Sequence, residues 1–384
     1  MKKKTIQFIA AGLVMMLFGI TMVVVGTINN YITIRFQVDK FFIGFCASVL
    51  ATGILTGSFT FGPVAERYGY KPVMLGGVFL VILGIWGITQ TETVGYVPYM
   101  FFTIGMGGGS VNGVTNMLVA DVYPENNSAY LSLLGVFYGI GALSFPLLTS
   151  LLLEMKLDYQ AILTFVAFIL FIPFILVLFT NFPETKKAKT ILIRQYFNFF
   201  SKPLILSIGM FLFFESAIEA IIPAWTPTYL MEVFEISYDK GLYAITVSAI
   251  GITVTRIFLS QLLKRLSPIT VLFFSMATVM AGAIVLQFST SWLMGIAGIA
   301  IIGVGMASFF PVMLGYTASA FPENSGTAFS IVLGISLIGN ILLSSLTGWV
   351  LEIFGIRLLN LLIMAFVLIM TGILSMVKHK ILKV

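Results

Sequence analysis

The chain has 384 residues, of which 59% are hydrophobic and only 9% charged, with a mean hydropathy of +1.06. Soluble domains carry about 25% charged residues, so this composition excludes a water-soluble globular protein and makes lipid the solvent. One cysteine, Cys46, rules out an intrachain disulfide and a cysteine-built metal cluster. The one histidine, His379, lies among the tail lysines, so no histidine-based metal site or nucleophile–base pair is expected and no cofactor is implied.

A membrane-spanning helix needs about 20 mostly apolar residues. Charged and turn-forming clusters divide the chain into twelve such segments, near Ile6–Ile32, Phe41–Ala65, Val73–Thr91, Val97–Ala120, Ala129–Leu153, Ala161–Thr180, Leu204–Leu230, Gly241–Leu263, Ile269–Phe288, Trp292–Ala320, Thr327–Leu351 and Leu358–Val377. Long apolar runs, in place of alternating strands of about ten residues, exclude a β-barrel. Lys2, Lys3 and Lys4 precede the first run without a small-residue cleavage site, so the run reads as an uncleaved first helix.

Residues recur at a fixed spacing of 198 along the chain. Gly53 falls on Gly251, Arg67 on Arg265, Gly105 on Gly303, Gly107 on Gly305, Gly141 on Gly339 and Tyr31 on Tyr229, and Pro124-Glu125-Asn126 falls on Pro322-Glu323-Asn324. Shared hydrophobicity aligns Leu with Ile but does not align Pro-Glu-Asn with itself. The expected fold class is therefore an all-α membrane protein, with twelve transmembrane helices in two pseudo-symmetric six-helix halves at 1–180 and 204–384, joined by a cytoplasmic linker at 181–203. Duplicated halves that rock around a midplane site are a device of secondary transporters. The glycine runs beginning at Gly105 and Gly303 lie in apolar segments without a P-loop lysine, and close helix packing is the better reading.

The net charge of +6 does not indicate nucleic acid, because the basic residues sort by side of the membrane. With a cytoplasmic N-terminus, 15 Lys and Arg fall inside, 5 fall outside (Arg35, Lys40, Lys156, Lys240 and Arg357), and Arg256 lies within a helix. That asymmetry puts both termini in the cytoplasm and fits a multi-pass protein of the plasma (inner) membrane. The basic linker is expected to lie against the anionic inner leaflet, with Ile191–Phe200 as a short interfacial helix.

Between the second and third segments the sequence reads Gly62-Pro-Val-Ala-Glu66-Arg67-Tyr-Gly69-Tyr70-Lys71. This resembles the signature loop of the major facilitator superfamily: a glycine, apolar residues, an acid, arginine, a spacer, glycine and two basic residues. Glu66 stands in place of aspartate and Tyr70 in place of one basic residue. The eroded second copy ends in Lys264-Arg265. The resemblance implies the major facilitator fold and a cytoplasmic latch built on Gly62, Glu66, Arg67, Gly69 and Lys71. A narrower similarity, to the fucose/glucose (hexose-type) branch, covers three helices. It rests on Leu133-Leu134, Phe137-Tyr138, Gly139-Ile-Gly141-Ala142 and Pro146, and on Glu219 at the branch's acidic position. Gly135 stands where that branch often has histidine, and Asn112 where proton-coupled relatives often have glutamate.

Glu215 and Glu219 are the acids that fall well within a spanning segment, one helical turn apart on one face. Two carboxylates so close and so deep cannot both carry charge cheaply, which suits a proton carrier or half of a cation site. Arg256 offers the alternative of a buried ion pair. Pro223 and Pro227 are expected to break this helix just beyond the acids. A sugar needs amides for its hydroxyls and aromatics for its ring faces. Asn29, Asn30, Asn112, Asn116, Phe137, Tyr138, Trp225, Tyr316 and Asn340 supply such a set. A hydrogen bond to a neighbouring helix is the alternative for each asparagine, and Trp225 and Tyr229 also fit an interfacial aromatic belt.

The expected function is alternating-access transport of a small polar solute, a hexose by preference, coupled to a proton or sodium ion; the partners are that solute, the ion and the bilayer. Proton-coupled efflux of a drug or metabolite shares the fold and the loop. A membrane enzyme lacks the groups for a catalytic set, and a non-transporting sensor is the remaining alternative.

Overall fold

The computed structural model describes residues 2–124, 127–184, 202–321 and 325–381. The proposed interfacial helix at Ile191–Phe200, most of the linker, Glu125-Asn126 and the second Pro-Glu-Asn run lie outside the described residues. The chain divides into two compact units, residues 1–188 and 189–384. Every described element is helical, apart from connecting turns.

The first unit contains α1 (Lys2–Phe36), α2 (Lys40–Tyr68), α3 (Tyr70–Gln90), α4 (Val97–Val122) and α5 (Asn127–Glu154), followed by α6 (Tyr159–Ile169) and α7 (Phe171–Phe179). The last two form one span interrupted at Leu170. The second unit contains α8 (Pro203–Phe234), α9 (Tyr238–Gly241), α10 (Tyr243–Leu262), α11 (Pro268–Gln287), α12 (Trp292–Met306), α13 (Phe309–Ala320), α14 (Ser325–Phe354) and α15 (Leu358–Ile381). Here α9 with α10, and α12 with α13, each make one span. Among the described residues, 11 helices are long and apolar enough to cross a membrane. The twelfth expected segment is α4, a helix of 26 residues rich in glycine and asparagine. Those residues lower its apolarity, and its glycines at 105 and 107–109 are buried against neighbouring helices.

Helix ends follow local chemistry. Asp39 and Asp158 accept bonds from the amides of Phe42 and Gln160, and Ser267 and Ser291 do the same for Thr270 and Met294. At the other ends, Gly69 and Gly355 turn the chain after α2 and α14 with φ of 87° and 85°, a conformation that costs other residues a Cβ clash. The Lys4 ammonium donates to the Val122 carbonyl at 3.2 Å, placing a cation on the C-terminus of α4.

The 198-residue repeat is written into the packing. A Cβ on Gly53 would meet the Phe102 carbonyl at 2.3 Å; one on Gly251 would meet the Ala300 carbonyl at 2.9 Å. Gly105 approaches the Leu50 carbonyl as Gly303 approaches that of Ser248, and Gly107 approaches Gly77 and Val81 as Gly305 approaches Ser275 and Val279. In each comparison both partners in the second unit lie 198 residues beyond those in the first. A further pair, Gly84 on Met100 and Ile104 and Gly282 on Gly298 and Ile302, obeys the same rule. The recurring glycines thus mark helix crossings in which backbone touches backbone, where any side chain would force the helices apart.

Candidate functional site

In the first unit α1, α4 and α5 converge. Gly108 lies on the Thr21 side chain, and Thr115 donates to the Met15 sulfur at 3.5 Å, so Asn112 falls opposite α1 near Phe18. Gly19 abuts the Tyr138 carbonyl, Gly141 abuts that of Met16, and the Phe18 and Tyr138 rings lie 5.5 Å apart. Asn112 and Tyr138 therefore share one depth along α1, and both are half-buried. Asn116 donates to Asn112 twice, to Oδ1 at 3.0 Å and to the main-chain carbonyl at 2.8 Å. Phe137 packs on Gly12 and is part of the α1–α5 contact. Asn29 and Asn30 are not brought to this place. They lie about 16 Å further along α1, by the helical rise of 1.5 Å per residue, and Asn29 accepts from Thr33.

In the second unit Gly339 abuts the Phe213 carbonyl, which sets the neighbouring Asn340 of α14 at the depth of Phe213 and Glu215 on α8. Asn340 is buried and accepts from Ser344 at 3.1 Å. Glu215 is 1% exposed, and its Oε2 has no hydrogen-bond partner. Among the described residues, Glu219, one turn further along α8, and Arg256 of α10 are charged neighbours of this carboxyl. Arg256 donates through Nε to the Ala307 carbonyl at 3.4 Å. Tyr316 of α13 is half-buried. Counted back by 198, Glu215 falls on Leu17 and Glu219 on Thr21. Asn112 and Tyr138 in the first unit, and Glu215 and Asn340 in the second, thus lie at equivalent depths of the repeat.

Three expectations are corrected here. Pro223 and Pro227 do not break the helix, because α8 runs unbroken from Pro203 to Phe234 through both. Neither proline has an N–H, so the carbonyls of Glu219 and Pro223, four residues earlier, lose their usual helical donors. Trp225 and Tyr229 are not belt aromatics, being 1% and 2% exposed inside the second unit. Trp225 also lies about 15 Å along α8 from Glu215. The signature segment is a loop only at Gly69, since Gly62 to Tyr68 form the last turns of α2. Arg67 lies over the Tyr68 ring at 5.1 Å, and Lys71 is in the first turn of α3.

Two polar clusters were not foreseen. Tyr70 is buried and its hydroxyl donates to the Asp121 carboxylate at the end of α4, tying α3 to α4 where relatives of the signature have a basic residue. At the C-terminal end of α8, the Tyr229 hydroxyl donates to the Leu286 carbonyl at 3.1 Å, and Asn360 donates to Tyr229 at 3.0 Å and to Gln287 at 3.1 Å. In the first unit the equivalent Tyr31 accepts from Arg35, which also donates to the Thr89 and Thr91 carbonyls. Thr89 falls on Gln287 in the repeat, so the same corner is tied in both halves by different side chains. The tyrosines were visible as a recurring pair, and Arg35 lies one turn from Tyr31; Leu286 and Asn360 lie too far along the chain from Tyr229 for spacing to reveal them.

A duplicated all-helical membrane protein with a buried carboxyl and buried amides inside its apolar helices has the build of a secondary transporter. The Major Facilitator Superfamily model matches residues 8–286 and again 243–380, and the chain belongs to that family of multi-pass membrane transporters. It is 24% identical over 309 residues to the glucose/mannose transporter GlcP of Bacillus subtilis (strain 168), covering 78% of this chain and 76% of that protein. It is 22% identical over 342 residues to the inner membrane transport protein YdiN of Escherichia coli (strain K12), covering 87% and 80% respectively. In fold it is similar to a solved mutant form of the nucleoside transporter NupG, with a TM-score of 0.83 and 16% identity, over 97% of this chain and 99% of that one.

Proposed function

We propose that this transporter carries a hexose across the plasma (inner) membrane by alternating access of its two halves, driven by a proton or sodium ion bound at Glu215 and Glu219. Both termini are cytoplasmic in this reading, on the 15-to-5 distribution of basic residues. The observation that carries the coupling is the Glu215 carboxyl, wholly out of water with one oxygen unpartnered, beside a second acid one turn away. An anion so placed is costly until a proton or small cation answers it, and the carbonyl freed by Pro223 at Glu219 adds a hard oxygen to the same turn.

Asn112, Asn116 and Tyr138 in one half and Asn340 in the other are the groups assigned to sugar hydroxyls and ring. Asn29, Asn30 and Trp225, further along their helices, are assigned to the path by which substrate enters or leaves. The name of the relative GlcP supports glucose or mannose as the substrate class. Gly62, Glu66, Arg67, Gly69 and Lys71 are assigned to the latch between states. The test is uptake of a panel of labelled sugars into proteoliposomes under imposed proton or sodium gradients. Glucose or mannose should accumulate above equilibrium with one of the two ions. Failure of every sugar to enter with either gradient would overturn the hexose assignment.

A further inference from the structure

We propose that the end of α10 carries a site for one anionic phospholipid, its phosphate held by Lys264 and Arg265 and its acyl chains lying on Phe258 and Leu262. These side chains, with Thr255 and Gln261, line a groove of about 600 Å³ on the second unit. Its two parts have the chemistry of a lipid. Phe258 is 57% exposed and Leu262 40%, an apolar wall open at the surface of the second unit. Lys264 and Arg265 are exposed immediately beyond it, past the last turn of the helix, where Thr255 and Gln261 offer further hydrogen-bonding groups.

The repeat supplies the reason that the anion must come from outside. In the first half the two equivalent positions are Glu66 and Arg67, a neutral pair. In the second half lysine replaces the acid, so the same place carries two positive charges, and neither side chain has an ion-pair or hydrogen-bond partner among the described residues. Basic groups at the cytoplasmic border of a membrane helix, beside an exposed apolar surface, match an anionic headgroup with its chains. The cytoplasmic placement of this end rests on the proposed topology, whereas the groove and its charge do not.

The test is native mass spectrometry of the whole purified protein in detergent, where orientation and transport play no part. Phosphatidylglycerol, phosphatidylcholine and inorganic phosphate are titrated separately against wild type, the Lys264→Ala/Arg265→Ala double variant, and Lys264→Glu, which restores the pairing of the first half. One phosphatidylglycerol should bind wild type about thirtyfold more tightly than the double variant, which is about 2 kcal/mol for two basic residues. Lys264→Glu should lose it likewise, while phosphatidylcholine binding stays the same in all three proteins. Equal retention of phosphatidylglycerol by wild type and by a variant with unchanged thermal unfolding would overturn the site. Competition by inorganic phosphate at equal concentration would show a free-anion site and overturn the assignment to lipid.

Discussion

Removing the Asn112 amide should weaken hexose binding by about 1–3 kcal/mol, because a buried hydroxyl of the sugar loses its partner. Asn112→Ala titrated with glucose or mannose by calorimetry checks this; unchanged affinity would move the sugar site away from α4. Trp225→Ala separates binding from passage: at about 15 Å from Glu215 along α8, it should slow uptake while leaving equilibrium affinity nearly intact. The buried corner at Tyr229 belongs to stability. Tyr229→Phe leaves Asn360 and the Leu286 carbonyl short of a partner, at a cost of about 1–3 kcal/mol, read as a lowered unfolding temperature. The intramembrane acids and asparagines were legible in the sequence because a polar residue in an apolar run needs a reason. Asp121 and Asn360 were not, since their partners Tyr70 and Tyr229 lie 51 and 131 residues away and only folding joins them.

Among the helices, the glycine crossings decide what can be changed. A Cβ on Gly105 would sit 2.1 Å from the Leu50 carbonyl and one on Gly303 2.5 Å from that of Ser248, both backbone atoms that cannot step aside. Gly105→Ala and Gly303→Ala should therefore lower the yield of folded, monodisperse protein, while Gly315→Ala, with nothing within 4 Å of its added Cβ, should not. Size-exclusion profiles in detergent make the comparison. The repeat was legible because these contacts demand glycine at both copies. The end of α2 was not, because Glu66-Arg67-Tyr-Gly69 looks like a turn and the expected segment stops at Ala65, whereas the helix continues to Tyr68. Arg67→Ala or Gly69→Leu should cut transport several-fold and leave substrate affinity largely unchanged, since the proposed defect is in interconversion between states. Wild-type rates in both would reduce the segment to a helix end without a latch.

For the molecule as a whole, the duplicated fold follows from the even spacing of its crossings, and its topology is open to direct measurement. Fusions at Lys4, within 186–189 and at Lys383 should all report the cytoplasm, and an external signal from the linker would contradict the proposed orientation. The central claim is that ion movement through the α8 acids drives sugar uphill. Its most direct test is accumulation of labelled glucose or mannose in proteoliposomes, comparing wild type with the Glu215→Gln/Glu219→Gln double variant under the driving gradient. The predicted result is that wild type concentrates the sugar, whereas the variant only equilibrates it and still exchanges it across the membrane. Accumulation against the gradient by the double variant would contradict the claim.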